Sequence, residues 1–250
     1  MKETKKNEDN EILYEIFHFM RDEYETRGLY ELISYLNYYF DTSTATMVEL
    51  GSYAGQSTNI FSNYFKKVIA IDPWKNYETL PKYDMKQVER TFDKFVGSRK
   101  NVEKRKGYSV EVSETVEDNS LDFVYIDARH EEEYVLEDIE AWLPKLKKHG
   151  FIGGHDFYLE PVTEPWVGKA VLSKYDKDDI LLFTDGSWLV KCNTTRSFKD
   201  EILYIPTLQM PDESIFDGSF PPMNHYCANL SENTKKTWIE SAKRRGFDKI

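Results

Sequence analysis

Four short apolar runs, each ending on an acid or, in the first, on a leucine just after one, recur along this chain with helical patterns between them: "MVEL" at 47–50, "KVIAID" up to Asp72, "LDFVYID" up to Asp127 and "GFIGGHD" up to Asp156. Parallel strands cannot be joined by tight turns and need a crossover, usually a helix, so this alternation predicts an α/β domain around a mostly parallel sheet. The intervening segments carry apolar residues at helical spacing, as in Ile60, Phe61, Tyr64 and Phe65, or over 85–95. "VEKRKG" supplies a further strand and "SVEVSETV" a short helix, and "PWVGKAVLSKY" a later helix. "EEEYVLEDIEAWLPKLKKHG" reads as one helix with acids in its first turn, lysines in its last, His149 at its C-terminal end and a glycine beyond. "DILLFTDGSWLVKC" reads as a hairpin turning at Asp185-Gly186, which brings an antiparallel strand into the sheet.

Before the first strand, Ile12, Leu13, Ile16, Phe17 and Met20, then Leu29, Leu32, Ile33 and Leu36, predict two helices broken near Gly28. The organisation expected is an N-terminal helical cap at 1–44, the α/β domain at 45–193 and an extension at 194–250. The flanks are rich in tyrosine and proline-apolar stretches, and they suit either a cover over the site's mouth or a sheet-edge or dimer contact, which leaves a homo-oligomer open.

Composition narrows the partners. A net charge of −11 argues against a phosphate backbone, so no nucleic acid is expected. No segment approaches the apolar length of a membrane span, and "MKETKKNEDNEILYEIF" has no uninterrupted apolar stretch of the secretory kind, so a cytoplasmic protein without a membrane partner is expected. Cys192 and Cys227 form no close pair and support neither a disulfide framework nor a zinc knuckle.

The turn after the first strand, "GSYAGQS", faces the carboxyl edge of the sheet, where open α/β sheets bind ligands. Gly51 and Gly55 suit close approach of backbone to a ligand and equally suit a tight strand-to-helix turn. Glu49 and Asp72 stand at the same edge, and Asp72 lies twenty-one positions beyond Gly51, close to the offset at which an acid chelates a ribose diol. A dinucleotide fingerprint would need a glycine where Tyr53 stands, so a nucleoside other than NAD is favoured.

The run "VELGSYAGQST" resembles the first motif, ExGxxxGxS, of class I S-adenosylmethionine-dependent methyltransferases. The resemblance implies a Rossmann-like methyltransferase fold with a seven-stranded sheet. It also implies S-adenosylmethionine bound by Glu49, Gly51, Ser52, Tyr53, Gly55, Ser57 and Asp72, with Asp127 bordering the same site. Trp74 and Ser109 become expected adenine neighbours, with plain packing the alternative for Trp74.

Asp127 and His130 follow one strand, and His155 and Asp156 end another, so four polar side chains are expected at adjacent strand ends. Carboxylates with imidazole suit a divalent cation such as Mg²⁺ or Mn²⁺, and a neutral histidine suits removal of a hydroxyl proton. The segment resembles the metal-dependent sugar O-methyltransferases of the macrocin and mycinamicin type, whose "IDGDHSY…GG…" it parallels. That resemblance implies a cation held by Asp127 and Asp156, with His155 in the place of the first member of an acid pair and His130 as the base, acting with Asp127. Two positions depart from the pattern: Ala128-Arg129 replaces "GD", and His155 replaces an acid, which suits a softer cation. The expected activity is O-methylation of a small polar or glycosylated acceptor. N-methylation, metal-dependent hydroxylation and a non-catalytic cofactor-binding subunit are the alternatives.

Overall fold

In a computed structural model of the chain, residues 23–76, 84–157, 166–183 and 185–192 are described. In chain order the elements are α1 (Glu23–Tyr39), β1 (Thr46–Leu50), α2 (Gln56–Ser62), β2 (Lys67–Asp72), α3 (Met85–Phe95), β3 (Val102–Lys106), α4 (Ser109–Ser113), β4 (Leu121–Ile126), α5 (Glu132–Trp142), β5 (Leu146–Gly154), α6 (Trp166–Lys174), β6 (Ile180–Leu182) and β7 (Trp188–Lys191). The sheet has seven strands in the order β3-β2-β1-β4-β5-β7-β6. β1 pairs in parallel with both β2 and β4, and β7 pairs antiparallel with β5 on one side and with β6 on the other. This is the mostly parallel α/β sheet that the alternating pattern predicted, with the seven strands and Rossmann-like order that the resemblance implied. The antiparallel strand lies one place in from the edge, since β6 occupies the edge itself.

The inner strands are apolar on both faces because both faces are covered. Val48, Leu50, Ile69, Ile71, Val124, Ile126 and Ile152 pack with Val135, Ile139 and Trp142 of α5 and Val167, Ala170 and Val171 of α6. On the other face Met47, Val68, Phe123, Tyr125, Phe151 and Leu189 meet Leu29, Leu32, Ile33 and Leu36 of α1 and Ile60 and Phe61 of α2. Trp74 joins Ala54, Ala70, the α3 residues Val88 and Phe92, and Val96 just after that helix in a third apolar cluster. β3 is an edge strand of mostly charged residues, and Lys104 pairs with Glu89 and Asp93 of α3, an edge of the kind that resists pairing with another chain.

Two expectations are corrected. The described part of the N-terminal region is one continuous helix through Gly28; its expected partner nearer the N-terminus, like the 194–250 extension, lies outside the described residues. Gly28 is there for room: a Cβ on it would stand 2.0 Å from Asp185 Oδ1. The helix expected to end at His149 stops at Trp142, because Pro144 has no N–H to bond the carbonyl four residues back and its ring crowds that carbonyl. A single 3₁₀ turn follows, and β5 begins at Leu146. The lysines taken for a helix end therefore pair with β4 and the segment before it: Lys147 with Asp122 at 2.8 Å and Lys145 with Asp118 at 2.6 Å. His149 is an exposed strand residue.

Candidate active site

The turn after β1 is bound to the end of β2, with Gly51 and Ser52 N–H groups donating to the Ile71 carbonyl at 2.8 and 3.1 Å. Gly51 and Gly55 have φ of +86° and +88°, which favours glycine at both. A Cβ on Gly51 would stand 2.0 Å from the Asp127 carbonyl oxygen, and one on Gly55 2.5 Å from Val96 Cγ2. The close approach these glycines permit is thus between parts of the chain itself, and it sets the turn directly against the end of β4.

Asp72 ties two turns together. Its Oδ2 accepts from Tyr53 N at 3.0 Å and its Oδ1 from Trp74 N at 2.6 Å, while Trp74 Nε1 donates to the Tyr53 carbonyl at 2.9 Å. Tyr53 and Trp74 both adopt left-handed backbone, at φ 43° and 44°. Burial pushes the Asp72 carboxyl up to about 6, against those two N–H groups. Each oxygen keeps a lone pair, so the group remains able to accept from a diol. Glu49 is fully buried, and burial pushes it up to about 7 although the Ser57 and Thr58 hydroxyls favour its charge. Thr58 donates to Oε2, whereas Oε1 has no hydrogen-bond partner among the described residues. A buried carboxylate with one oxygen unmet fits a ligand that brings an ammonium group to this turn, as S-adenosylmethionine does.

Asp127 continues β4, its N–H donating to the Leu50 carbonyl at 2.9 Å, and His155 extends β5 in the same way against Ile126 at 3.0 Å. These pairings bring three side chains together. His130 Nε2 lies 3.1 Å from Asp156 Oδ2 and 3.7 Å from Asp127 Oδ1, and one ligand atom from each of the three falls within 4.8 Å of the others. Asp156 is held at φ 57°, a left-handed conformation that aspartate tolerates better than most residues. Burial works against charge on His130, but its bond with Asp127 and the charge of Asp156 outweigh burial and hold it above the ordinary histidine value. Burial likewise opposes ionisation of Asp156, and the imidazoles of His155 and His130 prevail, holding it below the usual carboxylate range. Two carboxylates and an imidazole fit a divalent cation, with the nitrogen donor favouring a transition ion such as Mn²⁺ over Mg²⁺.

The other residues singled out in the sequence fall around this edge. His155 does not join the trio; its Nδ1 is 3.0 Å from Asp156 Oδ1 and its Nε2 3.6 Å from Asp185 Oδ2. Ser109 opens α4, just beyond Gly107, whose N–H donates to the Asp72 carbonyl at 3.1 Å; its hydroxyl donates to Asp138. Trp74 is buried, edge-on to Phe92 at 5.2 Å, with Lys104 Nζ 4.5 Å from its ring centroid, so packing accounts for its ring. Arg129, at the position that departs from "GD", pairs with Glu131 at 2.6 Å and lies 3.5 Å over the Tyr134 ring.

Sequence reasoning passed over Asp138 and Asp185. Asp138 sits on the buried stripe of α5 with Val135, Ile139 and Trp142, and burial pushes it up to about 7. An acid at an apolar position of a helical repeat was the available signal. Asp185 gave none, because an Asp-Gly pair is already explained by a hairpin turn.

A family profile described as a methyltransferase domain matches residues 48–157, which run from β1 to just past Asp156. Among solved structures, the cofactor-bound protein Rv0187 from MTB superposes with a TM-score of 0.50 at 14% identity, covering 70% of this chain and 82% of its own. A protein from Corynebacterium glutamicum gives 0.50 at 14% identity over 76% of this chain and 90% of its own. The O-methyltransferase from Bacillus cereus in complex with SAH gives 0.46 at 14% identity over 65% and 79%. Likeness at these identities is one of fold. No curated protein sequence matches the chain.

Proposed function

We propose, from a methyltransferase-domain match that runs from β1 to just past β5, that the chain is an S-adenosylmethionine-dependent methyltransferase and methylates a hydroxyl of a small polar or glycosylated acceptor with the help of a divalent cation. The observation that supports this reading is the convergence of Asp127, His130 and Asp156 at the strand ends, against the glycine turn. A hydroxyl is a poor nucleophile near neutral pH, and a site that only bound the cofactor would need neither two carboxylates nor an imidazole there. Bound together, the cofactor supplies an electrophilic methyl group and the cation lowers the pKa of a ligated hydroxyl.

The chain's own groups do the rest. Asp127 and Asp156 would hold the cation, Glu49 and the Gly51 turn the amino-acid part of the cofactor, and Asp72 its ribose. His130 would take the acceptor's proton at Nε2, the nitrogen that faces both carboxylates. A second reading rests on the same distances: Nε2 is as near to Asp156 as a third ligand would be, which would leave proton removal to the cation's own influence.

The test is transfer of a labelled methyl group from S-adenosylmethionine to hydroxylated metabolites and sugar conjugates, with and without chelator. Expected is transfer that falls on chelation, returns with Mn²⁺, and is lost in Asp127→Asn and Asp156→Asn while cofactor binding persists. Full activity in chelator would remove the cation from the reading. A His130→Ala protein that keeps Mn²⁺ affinity but loses turnover supports the base; one that loses Mn²⁺ affinity supports the third ligand.

A further inference from the structure

We infer that Asp185, in the turn between β6 and β7, is a positioning residue for the candidate cation site and acts through His155 on Asp156; the inference rests on the reading of Asp127 and Asp156 as cation ligands. A carboxylate in an Asp-Gly turn ordinarily faces water and serves the turn. Asp185 does serve it, accepting from Ser187 N at 2.8 Å on Oδ1 and from Ser187 Oγ at 3.0 Å on Oδ2. Its side chain is nevertheless wholly buried. The same Oδ2 faces His155 Nε2 at 3.6 Å, and the other end of that ring, Nδ1, stands 3.0 Å from Asp156 Oδ1. Asp156 Oδ2 is the oxygen that faces His130. The two oxygens of Asp156 therefore have separate tasks, one braced by His155 and the other turned to the site.

The brace is anchored in rigid parts of the fold. Trp188 Nε1 donates to the His155 carbonyl at 3.2 Å, and Phe157 N donates to the Gly186 carbonyl at 3.1 Å, so the chain on either side of Asp156 is fastened to the hairpin. Ser187 Oγ lies 3.3 Å from the Tyr125 hydroxyl on β4, which ties the turn to the strand that carries Asp127. Gly28 leaves the space that the Asp185 carboxylate fills under α1. Asp156 keeps a left-handed backbone, at φ 57°, which persists only where the surrounding structure holds it, and the bonds on either side of it supply that hold.

The experiment compares wild type with Asp185→Asn, which can keep the bond from Ser187 N, and with His155→Ala. In metal-free protein, ring-nitrogen spectra of the histidines should show the His155 signals shifted by Asp185→Asn; unshifted signals would overturn the inference. Calorimetry should show Mn²⁺ affinity lower by roughly 10- to 100-fold in Asp185→Asn, with affinity for S-adenosylhomocysteine and the circular dichroism unchanged. His155→Ala should show a similar loss, and the double variant no further one, since both act along one route. Losses that multiply in the double variant, or an Asp185→Asn protein with wild-type Mn²⁺ affinity, would overturn the inference alone. A wild type that takes up no Mn²⁺ would overturn the cation reading and this inference together.

Discussion

His130 stands between two carboxylates, and that placement sets the pH at which it can act. A base must be neutral to accept a proton, and the Asp127 and Asp156 charges hold this imidazole protonated to a higher pH than usual. In the metal-free protein its titration, followed by the ring-nitrogen resonances, is therefore expected above the ordinary histidine value of about 6.5, and Asp156→Asn should move it down. A titration at the ordinary value in wild type would mean that the two carboxylates do not hold this ring charged. His130→Ala should lower turnover by roughly 10²- to 10⁴-fold with affinity for S-adenosylhomocysteine retained. Normal turnover would leave the proton to the cation or to water. At this scale the trio was legible because each member ends or follows a strand, and parallel strands put their carboxyl ends on one edge. The role of His155 was not, since its two nitrogens are engaged by Asp156 and by Asp185, and the latter comes from a hairpin thirty residues on.

Elements meet the site at α1 and the β6–β7 hairpin. An alanine at Gly28 would gain about 1 kcal/mol of helix propensity. Its Cβ would also stand 2.0 Å from the Asp185 carboxylate, which is buried and bonded to Ser187, so one of them must move. Gly28→Ala is expected to lower stability by about 1–3 kcal/mol, read as a lower midpoint of thermal unfolding, and to weaken Mn²⁺ binding with it. A raised midpoint would mean that Asp185 steps aside freely. The same two places mark the limits of the sequence pattern. Gly28 reads as a helix break because glycine lowers propensity, while the apolar face of α1, with Leu29, Leu32, Ile33 and Leu36 buried, carries the helix through. Conversely, "LPKLKKHG" continues a helical composition, and only Pro144, a steric fact rather than a periodic one, ends α5 and begins β5. β1, β2 and β4 were legible almost to the residue because short apolar runs bounded by turns allow little else, whereas β5 begins four residues before its apolar run.

The molecule as a whole carries buried acids that prefer to be neutral. Burial raises Glu49 to about 7, Asp72 to about 6 and Asp138 to about 7. A carboxyl whose folded pKa lies above its unfolded one adds stability that is full below the unfolded value and is lost as pH rises through the folded one. Asp156 works the other way, since its lowered pKa gives stability that is lost as pH falls. The thermal midpoint is therefore expected to be highest on the acid side of neutrality and to fall between about pH 4 and pH 7, from the unfolded carboxyl values to the folded ones. Glu49→Gln should flatten that fall by on the order of 3 kcal/mol, the size of its shift. A midpoint that stays level over this range in wild type would contradict the burial of these groups. The central claim is spatial: cofactor and cation share one edge of the sheet, with Asp127 at the border of both. It is tested most directly by nuclear magnetic resonance of labelled S-adenosylhomocysteine bound to the protein while Mn²⁺ is added. The account predicts that Mn²⁺ broadens the resonances of the bound cofactor in wild type and leaves them sharp in the Asp127→Asn, Asp156→Asn double variant. Bound cofactor whose lines are untouched by Mn²⁺ in wild type, or equally broadened in the double variant, would contradict it.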